Sequence, residues 1–221
     1  MMKLDLSVLT SHSGEILGGF AVTLETWIAG VIIGSLLGLA IALLQLRGGR
    51  WLNRALRTYI EIIRGTPFLV QLFFLYYGGP SIGLDLQPVA AGVLGLSLYG
   101  SAYFAEVFRA GFNSVPMGQL EAATCVGLNH WQTVRRVQLP QMLVIIVPSL
   151  CNTIIVLSKE TAVLSVITVP ELTGVLTGIG SLSYAFVQVL MTLCVGYLLL
   201  VELTAWFGRW VERKVGRFMI R

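Results

Sequence analysis

Residues 114–140 read SVPMGQLEAATCVGLNHWQTVRRVQLP, the longest polar interruption in an otherwise apolar chain. Stretches apolar enough to cross a bilayer lie on both sides of it. Its patterning is that of folded structure. Ser114 followed by Pro116 suits a helix start, because a hydroxyl can cap a first turn and proline loses nothing there by lacking an N–H. Gly127, after the run QLEAATCV, suits a helix stop. Asn129 with Gln132 three residues on is close to a capping box, so a second short helix is expected to begin there. The segment is therefore read as two short helices joined by a glycine turn. Ala122, Ala123 and Gly127 keep backbone near the surface, where a partner can pack closely. That makes it a docking element, and the charges around it place it on the cytoplasmic side.

Composition sets the surroundings. The chain has 221 residues, 56% hydrophobic and only 12% charged, with a mean hydropathy of +0.81. Soluble domains carry about 25% charged residues. This chain has too little polar surface to cover itself in water, so a soluble or peripheral enzyme is excluded and the lipid bilayer is its surroundings. A formal charge of +4 raises nucleic acid as a partner, but the arginines sit beside apolar spans, which argues for no nucleic acid. The 24 glycines suit close helix packing in lipid. Cys125, Cys151 and Cys194 lack metal-ligand spacing, and His12 and His130 are isolated. No metal and no other cofactor is expected.

Working outward, the fold class expected is all-α: a polytopic membrane protein of five transmembrane helices, with the N-terminus outside and the C-terminus inside. Residues 1–19 form an external lead with one lysine, Lys3, and are not expected to be a cleavable signal peptide. Residues 20–208 form the transmembrane domain, with the loop 114–140 inside it. Residues 209–221 form a basic cytoplasmic tail. The spans are expected at about 20–46, 59–77, 89–109, 141–167 and 184–207. The first holds WIAGVIIGSLLGLAIALL, 18 residues and long enough to cross, with Gly30, Gly34 and Gly38 on one stripe. In the second, Gly65 and Pro67 break the helix near its inner end, and Glu61 and Arg64 can pair. In the third, Glu106 and Arg109 are expected to form a satisfied pair. In the fourth, Pro148 should introduce a kink, and Asn152, Ser158, Lys159, Glu160 and Thr161 are too polar for lipid, so a break or partial re-entry is expected. Thirteen of the fifteen basic residues fall in or at the inner ends of cytoplasmic segments. The exceptions are Lys3 and Lys159. That bias sets the orientation.

The spacing Glu121-Ala122-Ala123, three residues, Gly127, nine residues, then Val137-x-Leu139-Pro140 resembles the coupling loop of binding-protein-dependent ABC transporter permeases. Arg64-Gly65-Thr66-Pro67 with Tyr76-Tyr77-Gly78 is similar to the polar amino-acid branch. So are Ser101-Ala102-Tyr103 with Glu106 and Arg109-Ala110-Gly111, and Ser158-Lys159-Glu160-Thr161-Ala162 with Val169-Pro170-Glu171-Leu172. The likeness covers about residues 15–215. Many members have aspartate where this chain has Glu160.

The resemblance implies a permease subunit of an ATP-driven importer, with no catalytic site of its own. Its implied partners are two ATP-binding subunits in the cytoplasm, a second permease that is the same chain or a homologue, and an external solute-binding protein that delivers a polar amino acid. The chain lacks a G-x-x-x-x-G-K-[ST] phosphate loop, so ATP hydrolysis falls to a partner. The location implied is the bacterial inner membrane. Coupling to the ATPase falls to Glu121, Ala122, Ala123, Gly127, Leu139 and Pro140, with Glu121 either holding the loop's own fold or touching the ATPase. Substrate contact is expected from Asn152, Lys159, Glu160, Thr161 and Thr66. Glu160 suits an ammonium, Asn152 and Thr161 suit hydrogen bonds, and Lys159 either draws a carboxylate or pairs with Glu160 or Glu171. The rival readings are an ATP-independent channel or secondary transporter, which needs no docking loop, and a purely structural membrane subunit, which leaves the polar fourth span unexplained.

Overall fold

The computed structural model describes residues 7–216. The expected roles of Lys3, Arg217 and Arg221 lie outside the described residues. Every regular element within them is helical. A short α1 (Ser7–Ser11) precedes α2 (Ser13–Arg47), so the first membrane helix starts earlier than its apolar core suggests. Then come α3 (Arg50–Gly65), α4 (Phe68–Gly78), a turn of 3-10 helix, and α5 (Pro88–Ser114). The docking segment supplies α6 (Met117–Cys125) and α7 (His130–Thr133). After it run α8 (Leu139–Glu160), a 3-10 stretch over Thr161–Ile167, α9 (Leu172–Ser183) and α10 (Phe186–Gly216).

Four of these runs are long and apolar enough to cross a membrane: α2, α5, His130–Ile167 and Phe186–Val215. The second expected span is divided. Thr66 is extended and Pro67 caps the next helix, so α3 and α4 meet at a break. Proline has no N–H to give and crowds the preceding turn. The freed acceptors are satisfied locally: Gln71 Nε2 donates to Ile63 O at 2.7 Å, to Thr66 O at 3.0 Å and to Thr66 Oγ1 at 2.8 Å. Such repair is what an apolar surrounding demands of irregular backbone.

The bundle is built around α5. Some 61% of its most apolar window is buried, against 22%, 28% and 17% for the other three long runs, so α5 is the enclosed helix and the others surround it. Its chief neighbour is α2, whose buried positions are small residues only: Gly19, Thr23, Thr26, Gly30, Gly34, Gly38 and Ala42. A Cβ on Gly30 would lie 2.8 Å from Leu96 Cβ, and one on Gly38 would lie 2.6 Å from Phe104 Cβ. The glycine stripe is thus a contact surface. In lipid, such close backbone approach supplies the packing that hydrophobicity cannot, because the tails are as apolar as leucine. The opposite face of α2, with Ile28, Ile32 and Leu36, is exposed. Trp27 Nε1 on α2 donates to Ile154 O on α8 at 3.0 Å, and Tyr59 Oη on α3 donates to Leu98 O on α5 at 3.0 Å.

Two boundary expectations are corrected. Ser114 ends α5, with its hydroxyl donating back to Gly111 O at 2.7 Å, and Pro116 occupies the cap of α6. The second docking helix is also not separate from the fourth span. It passes through one π-helical turn, Val134–Gln138, straight into α8. Pro140 sits in the first turn of α8, and a wider turn just before it relieves the proline's crowding of earlier carbonyls. The helix continues through Pro148. The expected break falls later, where Glu160 ends the α-helix and Thr168 takes a left-handed φ of 64°.

Candidate coupling surface and transport pathway

The docking segment closes by local rules. Beyond α6, Gly127 has φ +79°, a conformation that costs other residues about 1 kcal/mol or more. Leu128 N donates to Ala123 O at 3.0 Å and Gly127 N to Thr124 O at 2.9 Å, the paired bonds of a Schellman stop. The capping box of α7 is complete: Gln132 N donates to Asn129 Oδ1 at 3.0 Å, and Asn129 N to Gln132 Oε1 at 2.9 Å.

The segment is rooted as well as folded. Val115 and Val134 are buried in one cluster with Phe108, Phe112 and Met142, and Leu120 and Leu139 pack against it. Ala123 is buried, while Glu121, Ala122 and Gly127 are exposed together with Met117 and Val126. Leu139 and Pro140 lie apart from that exposed ridge, at the root of α8. Glu121 has no side-chain hydrogen bond or ion pair among the described residues. The Arg47 guanidinium at the end of α2 lies 4.4 Å from the Trp131 ring centre. This cation–π contact joins α7 to the helix that holds α5.

The residues expected to touch substrate are not gathered in one pocket. Glu160 is half-buried and faces α5: on either side of it Leu157 packs against Gly100 and Leu164 against Gly92. Asn152 and Lys159 are exposed and seven residues apart on α8, which puts them on one helix face. Lys159 forms no ion pair among the described residues. Glu171, one of its two candidate partners, is fully buried. The Glu171 carboxylate accepts from Thr173 N at 2.9 Å, Gly174 N at 2.7 Å and Tyr197 Oη at 3.0 Å. It caps α9, where helix-end amides favour an anion. Thr161 is turned toward that network, donating to Ser158 O at 2.7 Å and lying 3.3 Å from Tyr197 Oη. The Thr66 hydroxyl is exposed but engaged, donating to Ile62 O at 2.8 Å.

A polar ladder on α5 runs inward from Glu160. Tyr99 Oη donates to Tyr103 Oη at 3.0 Å. The Arg64 guanidinium lies 5.3 Å from the Tyr103 ring and 3.5 Å from Glu106. Arg109 grips the Glu106 carboxylate through Nε at 2.9 Å and Nη2 at 2.8 Å. The expected pair of Glu106 and Arg109 therefore forms. The expected pair of Glu61 and Arg64 does not, because Arg64 crosses to α5 instead. Tyr103 entered sequence reasoning only as part of the Ser101-Ala102-Tyr103 motif, and neither Tyr99 nor the hold of Tyr197 on Glu171 was singled out. The spacing of Tyr99, Tyr103 and Glu106 by four and three is a usable signal, since it sets three polar groups on one helical face.

A protein family described as the binding-protein-dependent transport system inner membrane component matches residues 30–217. The chain belongs to this family. The permease is 34% identical over 204 residues to a probable amino-acid ABC transporter permease protein, YckA, of Bacillus subtilis, covering 92% of this chain and 90% of the relative. It is 33% identical over 215 residues to the arginine transport system permease protein ArtQ of the same organism, covering 97% and 98%. Among solved structures it resembles a crystal structure of an amino acid ABC transporter with histidines, at a TM-score of 0.89 and 34% identity over 96% of this permease and 100% of that chain. An inward-facing MetNI methionine ABC transporter shares the fold at a TM-score of 0.72 and 23% identity, covering 97% and 99%. This permease is thus a multi-pass helical membrane component of the ABC-transporter type.

Proposed function

We propose that this permease, paired with a second copy or a homologue, forms the pathway of an ATP-driven importer for a polar amino acid in a bacterial inner membrane. An external solute-binding protein delivers the substrate, and two cytoplasmic ATP-binding subunits supply the work. The broken pair α3 and α4 makes the fifth crossing. The N-terminus then lies outside and the basic tail inside, as the cationic bias favours. The divisions 1–19, 20–208 and 209–221 follow this topology.

The observation that carries the reading is the self-contained docking segment joined to the innermost helices. Met117, Glu121, Ala122, Val126 and Gly127 present an exposed ridge with a free backbone turn and a carboxylate that makes no bond among the described residues. Their roots, including Leu139 and Pro140, run into the core of α5 and α8. A partner gripping the ridge moves those helices as a rigid lever, so ATP-driven closure biases inward and outward states. Along the pathway Glu160 takes the ammonium group. Lys159 and Asn152 meet the carboxylate and polar atoms as α8 turns. Thr161 and Thr66 act by holding the ends of broken helices. Discontinuous helices at mid-membrane are where transporters place their solutes.

Purification in mild detergent with partners retained, followed by uptake assays in proteoliposomes, tests this. Two permease chains with two ATPase chains and ATP-dependent amino-acid uptake are expected. The permease alone, transporting without nucleotide, sinks the proposal.

A further inference from the structure

Two cavities meet at one ion pair. The first, of about 450 Å³, lies between α5 and α8 and is lined by Arg64, Tyr103, Glu106, Ser149 and Thr153 among others. The second, of about 430 Å³, lies between the inner end of α2, the C-terminal half of α3 and α5, and includes Gln45, Arg57, Glu61, Arg64, Glu106 and Arg109. Arg64 and Glu106 line both. Ser149 and Thr153 put this first cavity on α8, the same helix that carries Asn152 and Glu160.

The two members of the pair are held unequally. Glu106 is fixed by the bidentate grip of Arg109, a geometry that orients as well as binds. Arg64 approaches Glu106 only to 3.5 Å, its side chain is 44% exposed, and no hydrogen bond holds its guanidinium among the described residues. Exposed pairs of this kind contribute little, because water screens them. The Tyr103 ring at 5.3 Å offers Arg64 a second resting place. Arg64 is therefore the movable member and Glu106 the fixed one. In the second cavity Gln45 Oε1 is buried with no hydrogen-bond partner among the described residues, leaving an acceptor in the cavity that the pair lines.

We infer that Arg64 and Glu106 form a cytoplasm-side station for a free amino acid, Arg64 taking its α-carboxylate and Glu106 its α-ammonium, and that the solute passes by opening the pair between the two cavities. The inference rests on the amino-acid reading above. A zwitterion is suited to this exchange because it replaces one loose ion pair with two and leaves the local charge unchanged. Recognition is of the two backbone groups, so the station serves amino acids without reading their side chains.

The test uses the intact complex in proteoliposomes, with its solute-binding protein outside. Labelled L-glutamine, L-arginine and L-cystine are the three probes. The probe that is taken up is then loaded unlabelled inside, next to its carboxamide and its N-acetyl derivative. The free amino acid inside should slow uptake by occupying the station. Each derivative lacks one charged partner and should need about tenfold more for the same effect, the weight of one charge-assisted hydrogen bond. Arg64→Met should raise the half-inhibiting internal concentration about tenfold and abolish discrimination against the carboxamide. Arg64→Lys should retain that discrimination. A bridge that is merely structural moves neither readout. The station is overturned, with the amino-acid reading intact, if uptake proceeds but internal amino acid has no effect, if the carboxamide matches the free acid in the unmutated protein, or if Arg64→Met changes nothing. Failure of all three probes in a complex that hydrolyses ATP overturns the amino-acid reading and the station together. Should Arg64→Met not assemble, the three internal compounds on the unmutated complex decide alone.

Discussion

The docking segment and the α5 ladder are built on opposite plans. The docking segment closes on neighbours in sequence: a Schellman stop, a capping box and a π turn, all within residues 116–140. The ladder closes on residues far apart in the chain, with Arg64 reaching Glu106 and Tyr59 reaching Ser101. A surface that must meet a partner unchanged gains from folding locally. A pathway that must alternate between states gains from loose, long-range pairs that can exchange. If this contrast holds, damage to the bundle should show first as lost assembly, and damage to the docking segment as lost coupling in an assembled protein.

The sharpest break should come at Gly38. Its added Cβ would meet Ala105 N at 2.8 Å and Ser101 O at 2.9 Å as well as Phe104 Cβ, and neither backbone atom can swing aside. Gly38→Leu should separate α2 from α5 at a cost of about 3 kcal/mol or more. Size-exclusion chromatography of the detergent-solubilised protein should show lost monodisperse yield. Gly14 meets nothing within 4 Å, so Gly14→Leu should behave as the parent does. Equal yields for the two variants would remove the glycine stripe from the account of the fold.

Next comes Glu171, the buried carboxylate that ties α9 to α10. Glu171→Gln keeps the size but turns one acceptor oxygen into a donor facing other donors. A buried donor left without a partner costs about 1–3 kcal/mol. A fall in the melting temperature of the purified permease should report it. Tyr197→Phe removes one of the three donors and should lower the melting point less. An unchanged melting point in Glu171→Gln would mean that the cap does not hold these helices together.

How legible each region was follows from the same contrast. The sequence spacing of Asn129 and Gln132, and of Gly127 after its short run, marks the two docking helices because those bonds lie within a few residues. Gly30, Gly34 and Gly38 mark the α2 contact because one stripe at spacing four is itself a surface. The tie of Thr161 and Glu171 to α10 was not legible, for the reverse reason. Their partner Tyr197 lies 26 or more residues away, and no local pattern announces it. Arg64 was assigned to Glu61, its neighbour three residues back, although its partner is on another helix. The start of the fourth span was misjudged at Pro140 because a proline reads as a boundary in sequence, while one π turn lets the helix pass.

Gly127 tests the docking side of the comparison. Its left-handed φ tolerates aspartate better than most residues, and nothing lies within 4 Å of an added Cβ. Gly127→Asp should therefore insert and fold, at a cost of about 1 kcal/mol, while placing charge and bulk on the ridge where the ATPase is proposed to sit. Uptake should fall about tenfold or more, since a desolvated, unpaired charge at an interface costs several kcal/mol, while the melting temperature of the isolated permease barely moves. Wild-type uptake in the assembled variant would remove this turn from the docking surface.

The smallest effect is expected at Asn129. Its side chain satisfies one amide at the start of α7, and Gln132 returns the favour to Asn129 N. Asn129→Ala removes the first bond and should cost about 1 kcal/mol of local stability, while Asn129→Ser should restore most of it. The loss is confined to a four-residue helix that Trp131 and Val134 also anchor, so the melting temperature should change little. Hydrogen exchange at Gln132 N–H is the sensitive measurement: about fivefold faster in the alanine variant is the expectation from 1 kcal/mol. Faster exchange that also spread through α5 and α8 would mean that the docking segment is not closed by local bonds, and the contrast between the two plans would fail at its smallest element.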